Sequence, residues 1–523
     1  MFSEKTHRYI YLFGLCSLAF GMMMGTVPTS VPQFILLGNW LMEGDFKRKW
    51  QQLKTNKLFW IVSSLFFAHL FGLIYTQNFK EGLNDIRIKL PLLFLPLIFF
   101  TQKSLKPNEF KILLYSFLIG CVANTAWCLI YNFMLHETVE LRNASRFMSH
   151  IRLGLYLNVA VFCCTYFVLK NKHVFLKILF GSLLIYFVFV LYVLGLITGI
   201  FYLSIAFLFT VLLILLKQKM RVKLMLFIII FLGFTYAIYY VNSVFDSQLK
   251  PSISENNKPH KSGQNGNAYL NYNSFTQKEN GNFVFINIQP TELKKEWQRR
   301  FPQDSFSYMP NPYNLIRYNV ILRYMASKGL CKDSVGLTKL TNTDFENIQK
   351  NITNHSYPEW SFLHKRIYEF VCEYDEFLNE RSINGHSLTM RLYFWKATLQ
   401  LINKNKFFGV GTGDVQNQLN KTYLETNSPL NKEWFKRPHN QFLTITLSLG
   451  TMGLLVFLFS IFYPVIYLRK FFNTLFWPYF LIVILSFIPE DTLETQAGLS
   501  FFAFFYSLFI SDAFFKKQQN LVD

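Results

Sequence analysis

The sequence predicts an all-α integral membrane protein of about twelve transmembrane helices, with a large, mostly helical periplasmic loop between the ninth and tenth. Three observations predict it. Hydrophobic residues make up 51% of the chain, 59 of its 523 residues are phenylalanine, and only 16% are charged; a water-soluble protein of this length normally carries more charge. The apolar residues gather into blocks of roughly 15–25, long enough to cross a hydrocarbon core about 30 Å thick. Between about 242 and 440 the blocks give way to polar, mixed-charge sequence.

The elements follow in order. Met1 to Arg8 is short and polar, and Thr26-Val27-Pro28 runs straight from the first apolar span into the second, with no small-residue cleavage pattern. An uncleaved first membrane helix is expected. Spans are expected near residues 9, 28, 58, 88, 111, 153, 174, 195, 221, 441, 474 and 496. The second and fourth are short and contain Pro32, Pro91 and Pro96. The chain thus divides into 1–241 with nine spans, the loop 242–440, and 441–523 with three. Within the loop, 251–283 is rich in Asn, Ser and Gly and reads as flexible. Thr343-Asp344-Phe345-Glu346 fits a capping box. Residues 360–380 and 388–404 have helical apolar spacing.

Charge sets the orientation. The formal charge of +21 collects in alternate loops: Lys47-Arg48-Lys49, Lys103 with Lys106, Lys170 with Lys172, Lys217-Gln218-Lys219-Met220-Arg221, Arg469-Lys470 and Lys516-Lys517. Basic loops stay cytoplasmic, which puts both termini inside and the 242–440 loop outside. No groove-reading or aromatic-basic platform points to nucleic acid. Five cysteines (Cys16, Cys121, Cys128, Cys163, Cys164) lie in apolar spans as small packing residues. Cys331 and Cys372 share the loop, where an oxidising compartment would permit a disulfide. No CxxC or His/Cys spacing suggests a metal, and neither metal nor cofactor is expected.

Four groups carry candidate chemistry, and the topology puts all four on the external side. Arg391 and Trp395, four apart, share a helix face, and Gly409, Gly411 and Gly413 follow as a run able to let backbone approach closely or simply to form a turn. Arg437-Pro438-His439-Asn440 opens the tenth span; a helix N-terminus attracts anions, and a histidine there can serve as a base or only as a cap. Arg146, His150 and Arg152 precede the sixth span, where they can grip phosphate oxygens or snorkel to headgroups. Glu490-Asp491-Thr492-Leu493-Glu494-Thr495-Gln496 lies between the last two spans, where acids are costly and often functional, or form a salt bridge to an arginine of the same face.

These pieces resemble the O-antigen ligase and polymerase family of bacterial membrane proteins. The resemblance rests on Arg391…Trp395…Ala397, then Phe408-Gly409-Val410-Gly411-Thr412-Gly413, then Pro438-His439-Asn440-Gln441-Phe442-Leu443, ending at Leu449-Gly450-Thr451-Met452-Gly453. Arg317 to Leu340 and Glu490 to Gly498 are similar to stretches in a branch with an enlarged loop. The resemblance implies a bacterial inner-membrane enzyme that moves a glycan from undecaprenyl diphosphate to an acceptor hydroxyl, such as a lipid A core sugar, on the periplasmic face. It implies His439 and Arg391 as catalytic residues, with Arg152, Arg146, His150, Asn440, Gly411, Gly413, Glu494 and Gln496 around the substrate. Leu196-Ile197-Thr198-Gly199-Ile200 stands where many members carry a Ser-Arg-Gly-like element; Arg152, Arg146 or Arg391 would then supply the missing positive charge. A polymerase or protein O-glycosyltransferase of the same family fits the same residues. A lipid-linked glycan transporter is the reading of another class, although the chain shows no repeated halves.

Overall fold

The computed structural model describes residues 2–131, 145–215, 220–250, 252, 255–272, 277–303, 312–379, 384–385 and 387–522. The helices run α1 (Glu4–Gly21), α2 (Thr26–Met42), α3 (Phe46–Thr55), α4 (Lys57–Gly72), α5 (Phe79–Lys89), α6 (Pro91–Thr101), α7 (Pro107–Ile130), α8 (His150–Lys170), α9 (Val174–Val193) and α10 (Ile197–Leu215). They continue with α11 (Met220–Leu249), α12 (Pro290–Arg300), α13 (Pro312–Ser327), α14 (Ser334–Thr338), α15 (Asn342–Gln349) and α16 (Phe362–Leu378). The last are α17 (Ser387–Lys404), α18 (Val415–Glu425), α19 (Gln441–Leu468), α20 (Phe476–Ser486) and α21 (Gln496–Val522). The strands named among the described residues are β1 (Lys278–Glu279) and β2 (Asn282–Phe283), paired antiparallel.

The described residues are therefore almost entirely helical outside their turns and loops. Among the described residues, six stretches are long and apolar enough to cross a membrane: α7, α8, α9, Phe227–Leu249, α19 and Gln496–Asn520. Other apolar helices expected to span are shorter, such as α4, Ile197–Leu212 and α20. Pro91 opens α6 and Pro96 lies inside it, and the helix is only 11 residues long. The basic run Lys217-Gln218-Lys219 lies outside the described residues.

Two compact units emerge, Met1–Lys217 with Arg391–Asp523, and Gln218–Met390. In the first, α1 packs on α2 and α7, α8 on α9 and α10, α4 on α19, and α6 on α21. The core is aromatic-rich: Tyr156, Phe117, Phe167, Phe505 and Tyr479 are almost fully buried. Where lipid replaces water, such packing rather than apolar burial holds helices together. Of the expected 242–440 loop, everything from Arg391 onward belongs to this unit.

In the second unit, apolar side chains of α11 such as Leu224, Phe227, Phe231, Phe234 and Tyr239 lie exposed. Val284, Leu293, Trp297, Ile321, Met325, Phe345 and Ile348 form a separate core. Buried Glu279 joins β1 to α13 and α16: Arg323 Nε lies 2.7 Å from its Oε1, and Tyr368 Oη 2.9 Å from its Oε2. The Asn- and Gly-rich stretch read as flexible is pinned where described, with Asn257 Nδ2 donating to Ser252 and Gly281 carbonyls. The capping box sits two residues earlier than its sequence signature. Thr341 is the N-cap and Asp344 the reciprocal acid, because α15 begins at Asn342. Cys331 and Cys372 are both free thiols. Cys372 Sγ accepts from Gln248 Nε2 at 3.2 Å.

Candidate functional site

His439 lies in the short linker ahead of α19, and its φ of +49° is unusual for a residue with a side chain. Four contacts hold it there. Asn440 caps α19, accepting from Leu443 N at 3.0 Å, while its Nδ2 donates to Ile488 O at 2.9 Å. Trp395 Nε1 donates to Pro438 O at 2.8 Å, and the Phe394 ring lies 5.9 Å from the imidazole. Trp395 and Phe394 of α17 thus hold the Pro438 carbonyl and the imidazole ring, while Asn440 anchors the other side.

Glu490 completes the group. Arg391 Nη2 lies 3.0 Å from its Oε1, and His439 Nδ1 lies 3.7 Å from its Oε2 and 3.7 Å from Asp491 Oδ1. Asp491 first and Glu490 second raise the His439 imidazole to about 9, against the burial that would lower it. Its side chain remains 35% exposed. Arg391, expected to meet a diphosphate directly, is paired with Glu490, the salt-bridge option for that acidic turn. His439 Nδ1 and one oxygen each from Glu490 and Asp491 lie within 4.8 Å of one another. Such an N/O set suits a divalent cation in kind, although the Arg391 guanidinium already engages one Glu490 oxygen.

Gly411 and Gly413 form a packing seam. Helix α19 is broken at Gly450 (φ 69°, ψ −170°), which frees backbone groups that a membrane interior cannot satisfy with water. The 406–411 segment takes them up: Val410 N donates to Leu447 O at 2.9 Å, Gly411 N to Ser448 O at 3.0 Å, and Thr451 N to Lys406 O at 2.8 Å. A Cβ on Gly450 would stand 2.1 Å from Phe407 O. Cβ atoms on Gly411 and Gly413 would strike Thr76 Oγ1 and Asn78 O. Asp414 then accepts from Gln77 N at 2.7 Å and Asn78 N at 2.9 Å.

Glu494 lies inside the protein, its side chain 6% exposed. Lys89 Nζ and Arg437 Nη1 each lie 3.0 Å from its Oε2, and Gln441 Nε2 lies 3.1 Å from its Oε1. Lys89, fully buried, also reaches Asp85 Oδ1 at 2.7 Å. Burial would raise the Glu494 carboxyl, but Lys89 and Arg437 hold it well below the usual range. Sequence reasoning missed Lys89 and Asp85. The fourth expected span, beginning near residue 88, took in Lys89 without marking it, and only the i,i+4 spacing of Asp85 and Lys89 in α5 could have signalled a pair.

Arg152 stands in the first turn of α8 beside His150, its Nη1 donating to Ser149 Oγ at 2.9 Å. Gln496 Nε2 donates to Thr26 O at 3.3 Å. Arg152 and Gln496 line one cavity of about 170 Å³. Arg152 and Glu490 also line a smaller one with Tyr202. Arg146 is exposed. The structure thus brings Arg391, His439 and Glu490 together directly, Arg152 alongside, and leaves the glycine run and Asn440 in supporting positions.

No curated protein matches the chain. Residues 339–458, which include Arg391, the glycine run, His439 and the α19 break, match the family model described as O-antigen ligase, so over this segment the chain is similar to that family.

Proposed function

We propose that the protein transfers a glycan from undecaprenyl diphosphate to an acceptor hydroxyl, the lipid A core in the ligase reading, at the periplasmic face of the inner membrane. In this reading the chain crosses the membrane about twelve times with both termini cytoplasmic. The observation that carries the proposal is the linkage of Arg391 to His439 through Glu490, inside and beside the family-matched segment.

The chemistry needs no metal. Diphosphate is already a good leaving group, and fixed cationic donors stabilise the charge it gains. The acceptor hydroxyl is the poor partner and needs a base. With Nδ1 turned to Glu490 and Asp491, His439 offers Nε2 to the acceptor. The acceptor O–H gives its proton to Nε2 as its oxygen bonds the anomeric carbon. The bond from that carbon to the diphosphate oxygen breaks, its electron pair leaves with undecaprenyl diphosphate, and the anomeric centre inverts.

The elevated basicity of His439 supports a second reading. Protonated at neutral pH, the imidazolium would grip the leaving diphosphate, and Asp491 would take the acceptor's proton. The polymerase and protein-glycosylating readings differ only in the acceptor.

A deletion strain examined by lipopolysaccharide gel tests the function. Loss of all long-chain bands with accumulated lipid-linked polymer supports the ligase, and a single-repeat product supports the polymerase. Unchanged lipopolysaccharide contradicts both.

A further inference from the structure

Three helices of membrane-crossing length, α7, α8 and α21, meet at one end around a cavity of about 340 Å³. Phe110 and Lys111 line it from the first turns of α7, Tyr166 from the last turns of α8, and Asp512, Phe515 and Lys516 from the later turns of α21. The turn between α6 and α7 forms the rim, and Arg8 fixes it, donating from Nη1 to Lys103 O at 2.8 Å and from Nη2 to Ser104 O at 3.0 Å. This end carries the basic runs Lys103 with Lys106, Lys170 with Lys172, and Lys516-Lys517; it is the cytoplasmic face in the topology proposed above.

Three ammonium groups surround the space against one carboxylate. Lys103 pairs with Glu4, which does not line the cavity, and both side chains are largely exposed. Lys516 pairs with Asp512 at 2.6 Å. Lys111 is half-buried and, among the described residues, makes no ion pair or hydrogen bond. Holding an ammonium partly out of water without a counter-charge is unfavourable, so the cavity favours an anion. The remaining wall narrows the choice. Phe99, Phe110 and Phe515 give it an apolar side, which a small soluble anion would leave wet. A phosphate joined to a hydrocarbon chain covers both kinds of surface, and a basic pocket between spans suits such a headgroup.

We infer that this cavity binds one anionic glycerophospholipid of the adjoining leaflet. Its phosphate sits against Lys111, with Lys103 and Lys516 at the rim, and an acyl chain runs along Phe99 and Phe110. The site stands apart from the glycan-transfer reading, because none of these residues belongs to the group around His439.

Native mass spectrometry of the full-length protein, released from detergent micelles, tests it through the dissociation constant of the first bound lipid. Phosphatidylglycerol should bind about fivefold or more tighter than phosphatidylcholine with the same chains. Lys111→Gln should weaken phosphatidylglycerol binding about fivefold, while Lys111→Arg should stay within about twofold of the wild type. Lys170→Gln, on the same face but outside the cavity, should also change it by less than about twofold. Excess inorganic phosphate should leave the lipid bound. Equal binding of the two lipids, or undiminished binding by Lys111→Gln, overturns the assignment. So does an equal loss in Lys170→Gln, which would mean a diffuse basic face, or in Lys111→Arg, which would mean a role in shape alone. Displacement by inorganic phosphate would mean a site for a soluble anion and overturns it too. Because no transfer is measured, the outcome leaves the glycan-transfer reading to its own test.

Discussion

Glu490 connects Arg391 to His439, its Oε1 3.0 Å from the guanidinium and its Oε2 3.7 Å from the imidazole Nδ1. In the proposed reading the arginine acts on the histidine through this shared carboxylate, as an orienting acid does in nucleophile-activating groups. Glu490→Gln keeps the shape and removes the charge. Transfer should fall by about a hundredfold or more, and the pH at which the enzyme half-titrates should move down. An unchanged pH profile with lowered activity would mean that Glu490 is structural only.

The pH dependence itself separates the two mechanistic readings. A histidine raised to about 9 by Asp491 and Glu490 is mostly charged at pH 7. If it is the base, kcat/KM should climb about tenfold per pH unit and level off above about 9. If the imidazolium grips phosphate, activity should instead fall above that pH. Steady-state rates from pH 6 to 10 decide between them.

The same shift has a consequence for stability. His439 is more basic folded than unfolded, so its ion pairing contributes fully below pH 6.5 and is lost as pH rises through about 9. Thermal melts should show Tm declining over that window in the wild type. His439→Gln should flatten the decline.

Lys89 and Glu494 form a buried pair whose rupture should be costly. Lys89→Met leaves Glu494 with Arg437 and Gln441, and Asp85 without its lysine, and about 3–5 kcal/mol of stability should go. Lys89→Met combined with Asp85→Leu should recover part of it. A single variant that melts like the wild type would contradict the buried network.

Gly450 is required by the break in α19. Alanine there would meet Phe407 O at 2.1 Å and adopt a strained left-handed backbone, so Gly450→Ala should lower the yield of folded protein sharply. A folded Gly450→Ala enzyme with normal KM and kcat would show that the seam tolerates a side chain.

The helical class was legible because long apolar blocks leave strong local signals, and Pro438-His439-Asn440 was legible as the opening of α19. Arg391 and Glu490 were visible as candidates, but their pairing joins residues 99 apart in sequence and has no local signature. Lys89 was hidden for the same reason, since its carboxylate partner Glu494 lies on a distant turn. The glycine run left ligand binding and a turn both open, because close approach to Thr76 and to the broken α19 demands glycine as strictly as a phosphate would. The capping box slipped because Thr341 and Thr343 both offer a hydroxyl three residues before an acid.

The most direct test of the central claim is glycan transfer by the purified full-length enzyme from an undecaprenyl-diphosphate-linked donor to lipid A core, in wild type, His439→Ala and Arg391→Ala. Folded variants that have each lost at least about a hundredfold in rate are predicted. Wild-type rates in both would contradict the account.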